Sequence, residues 1–185
     1  MGKFNFIETK ISDLYIIEPQ IFGDTRGYFM ESYNKQDYFD VGLTMEFIQD
    51  NESKSKKGVL RGLHFQISHP QGKLVRVTKG KVFDVAVDLR KDSPTFSKYV
   101  GVILTDENKK QLYIPEGFAH GFLVLSEIAI FNYKCTDYYR PEHESGILWT
   151  DEDIDVQWPL EGLSSVFLSD KDKNLNKLRD IEIFV

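Results

Sequence analysis

The sequence predicts an all-β chain, folded as a jelly-roll β-sandwich or barrel with a few short helices. Three observations predict it. Short apolar runs alternate with turn residues every eight to twelve positions along most of the chain. Phe and Tyr, which suit a pleated half-buried surface, occur 14 and 9 times. No long amphipathic helical pattern appears before the C-terminal "NLNKLRD" (174–180). Many short strands with turns between them close most readily as two sheets or a barrel, which hides strand edges.

Taken in order, "LYIIEP" (14–19) reads as the first strand, "GDTRG" (23–27) as a turn, and "YFMESY" (28–33) as the next strand. "NKQDYFDVG" (34–42) is the best short helix, with Asn34 as N-cap and Gly42 as its stop. Strands follow at "EFIQDN", "VLRGLHFQ", "KLVRVTKG", "KVFDVAVDLR", "YVGVILT", "KQLYIPEG", "FAHGFLVLS" and "AIFNYKCTDYY". Gly80, between Lys79 and Lys81, marks a tight hairpin. The loops "ISHPQG" (67–72), "KDSPTF" (91–96) and "TDENKKQ" (105–111) carry breakers. "KSKK" (54–57) reads first as a solvated loop, with capture of one anionic ligand as the alternative.

The 185 residues fit one domain, 1–185, with no repeat, low-complexity tract or linker, and 41% apolar residues suffice for a core. A net charge of −6 without a dominant basic patch argues against nucleic acid and anionic membranes as partners. One cysteine, Cys135, permits no intrachain disulfide and fits a reducing cytoplasm. The N-terminal "MGKFNFIETK" lacks a signal-peptide apolar stretch, and Phe6 stands where a myristoylation signal needs Ser or Thr. No apolar run approaches membrane-spanning length.

The segment "VLRGLHFQ" (59–66) poses the chemical question, because Arg61 and His64 interrupt an apolar strand. A buried cation costs several kcal/mol (~3–5) unless paired. In "VFDVAVD", Asp84 and Asp88 share a face with Val82 and Ala86, and that face lines either a polar cavity or solvent. In "FNYKCTDYY", Phe131, Tyr133, Cys135, Asp137 and Tyr139 share a face; alone, a strand Tyr reads as packing with its hydroxyl at the rim. Pro115, Gly117 and His120 fall in the spacing P-x-G-x-x-H, which resembles the second motif of cupins. In the matching first segment, "GLHFQ", Gln66 stands where metal-binding cupins place a second His. His64 and His120 alone make a poor metal site, and His69 and His143 sit in loops, so a cavity without a metal is expected. "LSDKD" (168–172) adds Lys171 and Asp172, or is a solvated turn. No dinucleotide, P-loop or nucleophile-elbow motif is present.

Six stretches resemble the dTDP-4-dehydrorhamnose 3,5-epimerase family: "FGDTRGYFMESYN", "FIQDNESKSKKGVLRGLHFQ", "QGKLVRVTKGKVFDVAVDLRKDSPTF", "QLYIPEGFAHGF", "YKCTDYY" and "ILWTDEDIDVQWP". Together they cover most of the chain in order. The resemblance implies a cupin-fold isomerase of dTDP-rhamnose synthesis, acting on a dTDP-4-keto-6-deoxy sugar without a cofactor. His64 is then the base, Asp172 its orienting carboxylate, Tyr133 the acid on the other side, and Lys73 the cation at the enolate oxygen. Arg61 grips the diphosphate, and His120 contacts the sugar or diphosphate with Asp84 behind it. Arg26, Glu31, Gln49, Asn51, Glu144 and Lys171 hold the nucleotide end, and Tyr139 stacks on thymine. The resemblance also implies a homodimer in which Arg26 and its neighbours cross to the partner's site.

Arg61 and His64 have opposite strand parity, so a bulge or twist near Gly62 is expected to bring both to one face. The region "PLEGLSSVFLSDKD" is about two residues longer than the family form, which leaves Asp170 as the alternative to Asp172; the order Ser169, Lys171, Asp172 favours Asp172. Competing readings are a one-centre epimerase or ketoisomerase on the same scaffold, a non-catalytic sugar-nucleotide-binding module, and a metal cupin dioxygenase.

Overall fold

The computed structural model describes residues 3–181 and 183. Its strands are β1 (Phe4–Glu8), β2 (Tyr15–Pro19), β3 (Phe22–Asp24), β4 (Gly27–Phe29), β5 (Gln49–Lys56), β6 (Leu60–Gln66), β7 (Lys73–Lys79), β8 (Lys81–Asp88), β9 (Tyr99–Thr105), β10 (Gln111–Ile114), β11 (Phe118–Val124), β12 (Ile128–Cys135) and β13 (Glu144–Gly146). Helix α1 (Lys35–Phe39) follows β4, and helix α2 (Asp170–Lys173) lies near the C-terminus. Two sheets face each other, in the orders β1-β2-β10-β7-β12-β5 and β13-β6-β11-β8-β9, while β3 and β4 form a separate hairpin. The architecture is the cupin-like jelly roll that the strand spacing implies.

The main core lies between the sheets. Val75, Val77, Phe131, Val82, Ala86, Phe118 and Phe122 point into it from both sides. The outer face of the five-stranded sheet carries a second apolar layer. There Leu63, Phe65, Val85 and Val87 pack against Ile147, Ile154 and Leu178 from the C-terminal segment. Both faces of β8 are therefore covered, and Asp84 and Asp88 are fully buried, which removes the solvent-face reading of this strand. The third cluster gathers Phe4, Tyr38, Leu74 and Tyr113 on the outer face of the six-stranded sheet. Tyr38 anchors α1 there, edge-on to Phe4, Phe6 and Tyr33 at 4.9–5.5 Å.

Helix α1 starts as the sequence predicts, since the Asn34 side chain accepts from the Gln36 and Asp37 amides. It stops short of Gly42, whose φ of 88° ends the following turn. The structure departs from the sequence expectations at five places. "KSKK" is not a loop: β5 runs through Lys56 as the edge strand, with Lys54 and Lys56 exposed where charges guard an unpaired edge. Gly80 does not close a hairpin, because β7 and β8 belong to different sheets. Its φ of 83° turns the chain from one sheet to the other, and a Cβ there would sit 2.1 Å from the Ile128 carbonyl. β1, with alternating Phe4 and Phe6, is a strand that the polar flanks conceal. "YFMESY" contributes only Tyr28 and Phe29 to a strand. Near the C-terminus the helical turn sits at 170–173, one turn earlier than "NLNKLRD", where only a 3-10 turn (Leu178–Asp180) forms.

The β6–β11 pairing contains the expected irregularity. His64 opposes His120 and Arg61 opposes Phe122, so three steps on β6 match two on β11. Gly62 absorbs the extra residue at φ 110°, and a Cβ on it would lie 2.6 Å from both Gly121 Cα and the His120 carbonyl oxygen. Arg61 and His64 thereby share one face.

Candidate active site

A cavity of about 610 Å³ opens between the two sheets, within the usual range for small-molecule sites. The five-stranded sheet contributes Arg61, His64 and His120; the six-stranded sheet contributes Gln49, Asn51, Lys73, Tyr133 and Cys135. Tyr139, Glu144, Lys171 and Asp172 complete the lining from loops and the C-terminal segment. His64 and Tyr133 thus approach one space from facing sheets.

Asp172 reaches His64 because the C-terminal segment is stitched to the start of β6. Leu60 donates to the Phe167 carbonyl at 3.0 Å, and Phe167 donates to the Gly58 carbonyl at 2.8 Å. Ser169 then caps α2 by accepting from the Asp172 amide at 3.1 Å, and its hydroxyl donates to Asp172 Oδ2 at 2.8 Å. The other carboxylate oxygen, Oδ1, lies 2.5 Å from His64 Nε2. Burial pushes the Asp172 carboxyl up, but the His64 and Ser169 hydrogen bonds outweigh it and hold the group below the usual carboxylate range. An ionised Asp172 directs the ring proton to Nε2 and leaves Nδ1 as the basic nitrogen. That nitrogen is 3.9 Å from Glu144 Oε1. Asp170 is exposed and paired with Lys173, so of the two carboxylates it is Asp172 that meets His64.

Tyr133 is half-buried beside Phe131. Burial, with Cys135 and Glu144 adding to it and Arg61 opposing, raises its phenol above the ordinary value, so it holds its proton at neutral pH. Lys73 starts β7 at the cavity wall, one strand over from Tyr133. Burial lowers its ammonium pKa, against the pull of Cys135, Glu144 and Asp84. His120 Nε2 lies 2.8 Å from Asp84 Oδ1, the pairing the sequence suggests, and the ring stacks 5.9 Å from Phe131.

At the other end, Lys171 and Tyr139 both bond the Glu144 carboxylate. The Glu144 bond pushes the Tyr139 phenol up to about 12. Glu144 itself is raised by burial and lowered more by Lys171 and Tyr139, ending below the usual carboxylate range. Gln49 Nε2 donates to Asn51 Oδ1 at 3.0 Å, and Gln49 Oε1 accepts from the Tyr139 amide at 2.9 Å. Gln66, at the position of the absent metal-cupin histidine, is a structural tie: it donates to the His69 and Tyr138 carbonyls and accepts from the Arg140 amide. Among the described residues no group of three or more His, Cys, Asp or Glu could hold a metal ion.

Two predicted residues stand apart. Arg26, 88% exposed, is tied to Asp24 in the β3–β4 hairpin. Glu31 is tied to Lys3 and Asn34. Neither lines the cavity. Ser53 and Ser55 line or brace the cavity without having been singled out; their only sequence signal is parity with Asn51. Ser169, which marked the order that favours Asp172, braces that carboxylate.

Fold and site together define a cupin-like enzyme whose acid–base groups face one another across a single cavity. Comparison then narrows the class. The family pattern described as dTDP-4-dehydrorhamnose 3,5-epimerase matches residues 8–180. The dTDP-4-dehydrorhamnose 3,5-epimerase of Methanothermobacter thermautotrophicus is 54% identical over 185 residues, covering 100% of each chain. The Legionella pneumophila Philadelphia 1 dTDP-6-deoxy-D-glucose-3,5-epimerase, solved in complex with dTDP-4-keto-L-rhamnose, superposes with a TM-score of 0.94 at 54% identity, covering 97% of this chain and 95% of that one. The Bacillus anthracis enzyme, solved with TDP and PPi bound, gives 0.90 at 47% identity, covering 95% and 99%. The chain belongs to the dTDP-4-dehydrorhamnose 3,5-epimerase family.

Proposed function

We propose that the chain epimerises carbons 3 and 5 of dTDP-4-dehydro-6-deoxy-D-glucose, giving dTDP-4-dehydro-L-rhamnose for dTDP-rhamnose synthesis. The observation that carries this reading is the His64–Asp172 pair facing Tyr133 across one cavity. The C4 ketone acidifies the protons on both neighbouring carbons. His64 Nδ1 takes one of them, and the C–H electrons move onto the ketone oxygen to form an enolate. Lys73 stabilises that oxyanion; such charge stabilisation is usually the largest catalytic contribution. The Tyr133 hydroxyl then donates its proton to the opposite face of the same carbon, and the enolate electrons form the new C–H bond. His64 then releases its proton to solvent and the Tyr133 phenolate takes one up, and the restored pair repeats the sequence at the second centre. Each positioned acid or base contributes about 10²–10⁴-fold.

Arg61 and His120 hold the diphosphate, while Gln49, Asn51, Glu144, Lys171 and Tyr139 hold the nucleoside in this reading. Arg26 and Glu31 act across a homodimer. The exposed aromatic side chains of the β3–β4 hairpin, Phe22, Tyr28 and Phe29 at 46%, 57% and 64%, support a docked hairpin. The enzyme forms one domain and works in the cytoplasm, where Cys135 stays a thiol.

Proton NMR of dTDP-4-dehydro-6-deoxy-D-glucose with the protein in D₂O tests the reading. It predicts deuterium at both carbon 3 and carbon 5, with no added cofactor. Deuterium at one carbon alone makes it a single-centre epimerase, and none at either carbon removes it.

A further inference from the structure

We infer that two serines on β5, Ser53 and Ser55, form a hydroxyl ladder that sets the affinity of the cavity for the diphosphate. Ser55 acts as a positioning residue for Arg61, and Ser53 as a direct contact. The inference rests on the reading given above and adds these residues to it.

The face of β5 that lines the cavity carries Gln49, Asn51, Ser53 and Ser55 in strict alternation. Ser55 is buried, and its Oγ accepts from both Nε and Nη2 of Arg61, each at 3.2 Å. A guanidinium has five N–H donors, so three stay free for a ligand. Among the described residues no carboxylate pairs with Arg61. Orienting an arginine through a neutral hydroxyl fixes its plane without cancelling its charge. An aspartate at the same place would fix it equally well and neutralise it.

Ser53 supplies the second half. Its Oγ is buried at the cavity wall and has no hydrogen-bond partner. A buried hydroxyl without a partner is uncommon in folded proteins and marks a group that something else completes. Ser53 pairs in register with Phe131, which stacks on His120. The orphan hydroxyl therefore shares a strand face with Ser55, which holds Arg61, and is in register with the ring on which His120 stacks. Arg61 and Ser53 offer N–H and O–H donors here, and among the described residues neither is paired with a carboxylate. A phosphate, offering oxygens only, matches them; a sugar hydroxyl, half donor, matches them less well.

The test compares Ser53→Ala, Ser55→Ala, Ser55→Thr and Ser55→Asp with the unaltered enzyme. Affinities for dTDP and for thymidine are measured by calorimetry, and KM and kcat by epimerase assay. Each alanine variant is expected to weaken dTDP about tenfold while thymidine affinity holds, because only the phosphates lose a partner. KM rises with kcat nearly constant, the signature of lost uniform binding. Ser55→Thr, which keeps the oxygen, restores affinity, and Ser55→Asp weakens dTDP more than Ser55→Ala does. Equal dTDP affinity in the unaltered and alanine proteins overturns the inference while leaving the epimerase reading intact. An unaltered protein that neither binds dTDP nor turns over the sugar overturns the reading on which it rests.

Discussion

His64 Nε2 lies 2.5 Å from Asp172 Oδ1, although the two residues are 108 positions apart in sequence. A strand supplies the ring and a single helical turn supplies the carboxylate, so the pair exists only once the C-terminal segment has docked. Asp170, two positions earlier, points to Lys173 and solvent. His64→Asn and Asp172→Asn are therefore expected to lower kcat by about 10²–10⁴-fold. Asp170→Asn should stay within about twofold, as exposed surface changes do. Steady-state assays of the three variants decide it; an Asp170→Asn loss as large as that of Asp172→Asn would reverse the assignment.

Tyr133 and His64 occupy opposite walls, so removing the phenol should separate the two halves of the reaction. Tyr133→Phe keeps the base. We expect it to retain hydrogen exchange with solvent while net inversion falls by about 10²–10⁴-fold. Deuterium incorporation into unconverted substrate, followed by NMR, reads the difference. Parallel loss of exchange and inversion would mean that the phenol is needed for deprotonation as well.

Arg26 and Glu31 lie outside the cavity of their own chain, which makes subunit complementation informative. Arg26→Ala and His64→Asn proteins are each expected to be impaired. Mixed and allowed to exchange subunits, they should regain activity, to about a quarter of the normal rate for random C2 dimers. No recovery, with heterodimers demonstrated by mass, would place Arg26 outside the partner's site.

Stability at low pH should report on Asp88. This fully buried carboxylate accepts from Arg90, Ser93 and Thr95. Burial raises its pKa, but the Arg90, Ser93 and Thr95 bonds bring it below the unfolded value of 3.8. With the folded pKa depressed, the unfolded chain binds the proton first, so the stabilisation is complete above that value and is lost as pH falls through the folded one. Urea unfolding at pH 7 should show Asp88→Asn destabilised by about 3 kcal/mol. The gap between variant and parent should narrow below pH 3.8. A gap independent of pH would mean that the carboxylate charge contributes nothing.

Gly62 carries the bulge that turns Arg61 and His64 to one face. Gly62→Ala forces a side chain into a φ of 110° and into contact with Gly121 Cα at 2.6 Å. We expect a loss of about 3 kcal/mol or more in unfolding free energy, and activity lost even where the protein stays folded. A variant of normal stability and activity would show that the bulge relaxes freely.

Much of this was legible beforehand. The all-β class and most strands of the two sheets follow from turn spacing. The bulge follows from the opposite parity of Arg61 and His64 once the resemblance assigns both to one site. Asp84 behind His120 comes from the same resemblance, since strand alternation left its face open to cavity or solvent. Other features were hidden for physical reasons. Lys54 and Lys56 looked like loop because an edge strand needs charge, which local polarity cannot distinguish from solvation. Gly80 looked like a hairpin because a φ of 83° serves a corner between sheets as well as a turn within one. Ser53 and Ser55 carried no signal beyond parity with Asn51, since an ordinary hydroxyl gains meaning only from what surrounds it. Arg26 was legible only through resemblance, because an exposed arginine tied to Asp24 leaves no mark on its own chain's cavity.

The stitch between Gly58 and Phe167 has a consequence for biosynthesis. Every strand of both sheets lies before residue 147, so a growing chain can complete its sandwich while its last portion is still within the ribosome. Such a nascent sandwich already displays the imidazole and the phenol, yet the imidazole lacks its carboxylate. The carboxylate arrives when the segment around Phe167 settles along the start of β6. A stop codon at position 172 or shortly before it, which removes the carboxylate partner of His64, should accordingly yield protein that does not turn over.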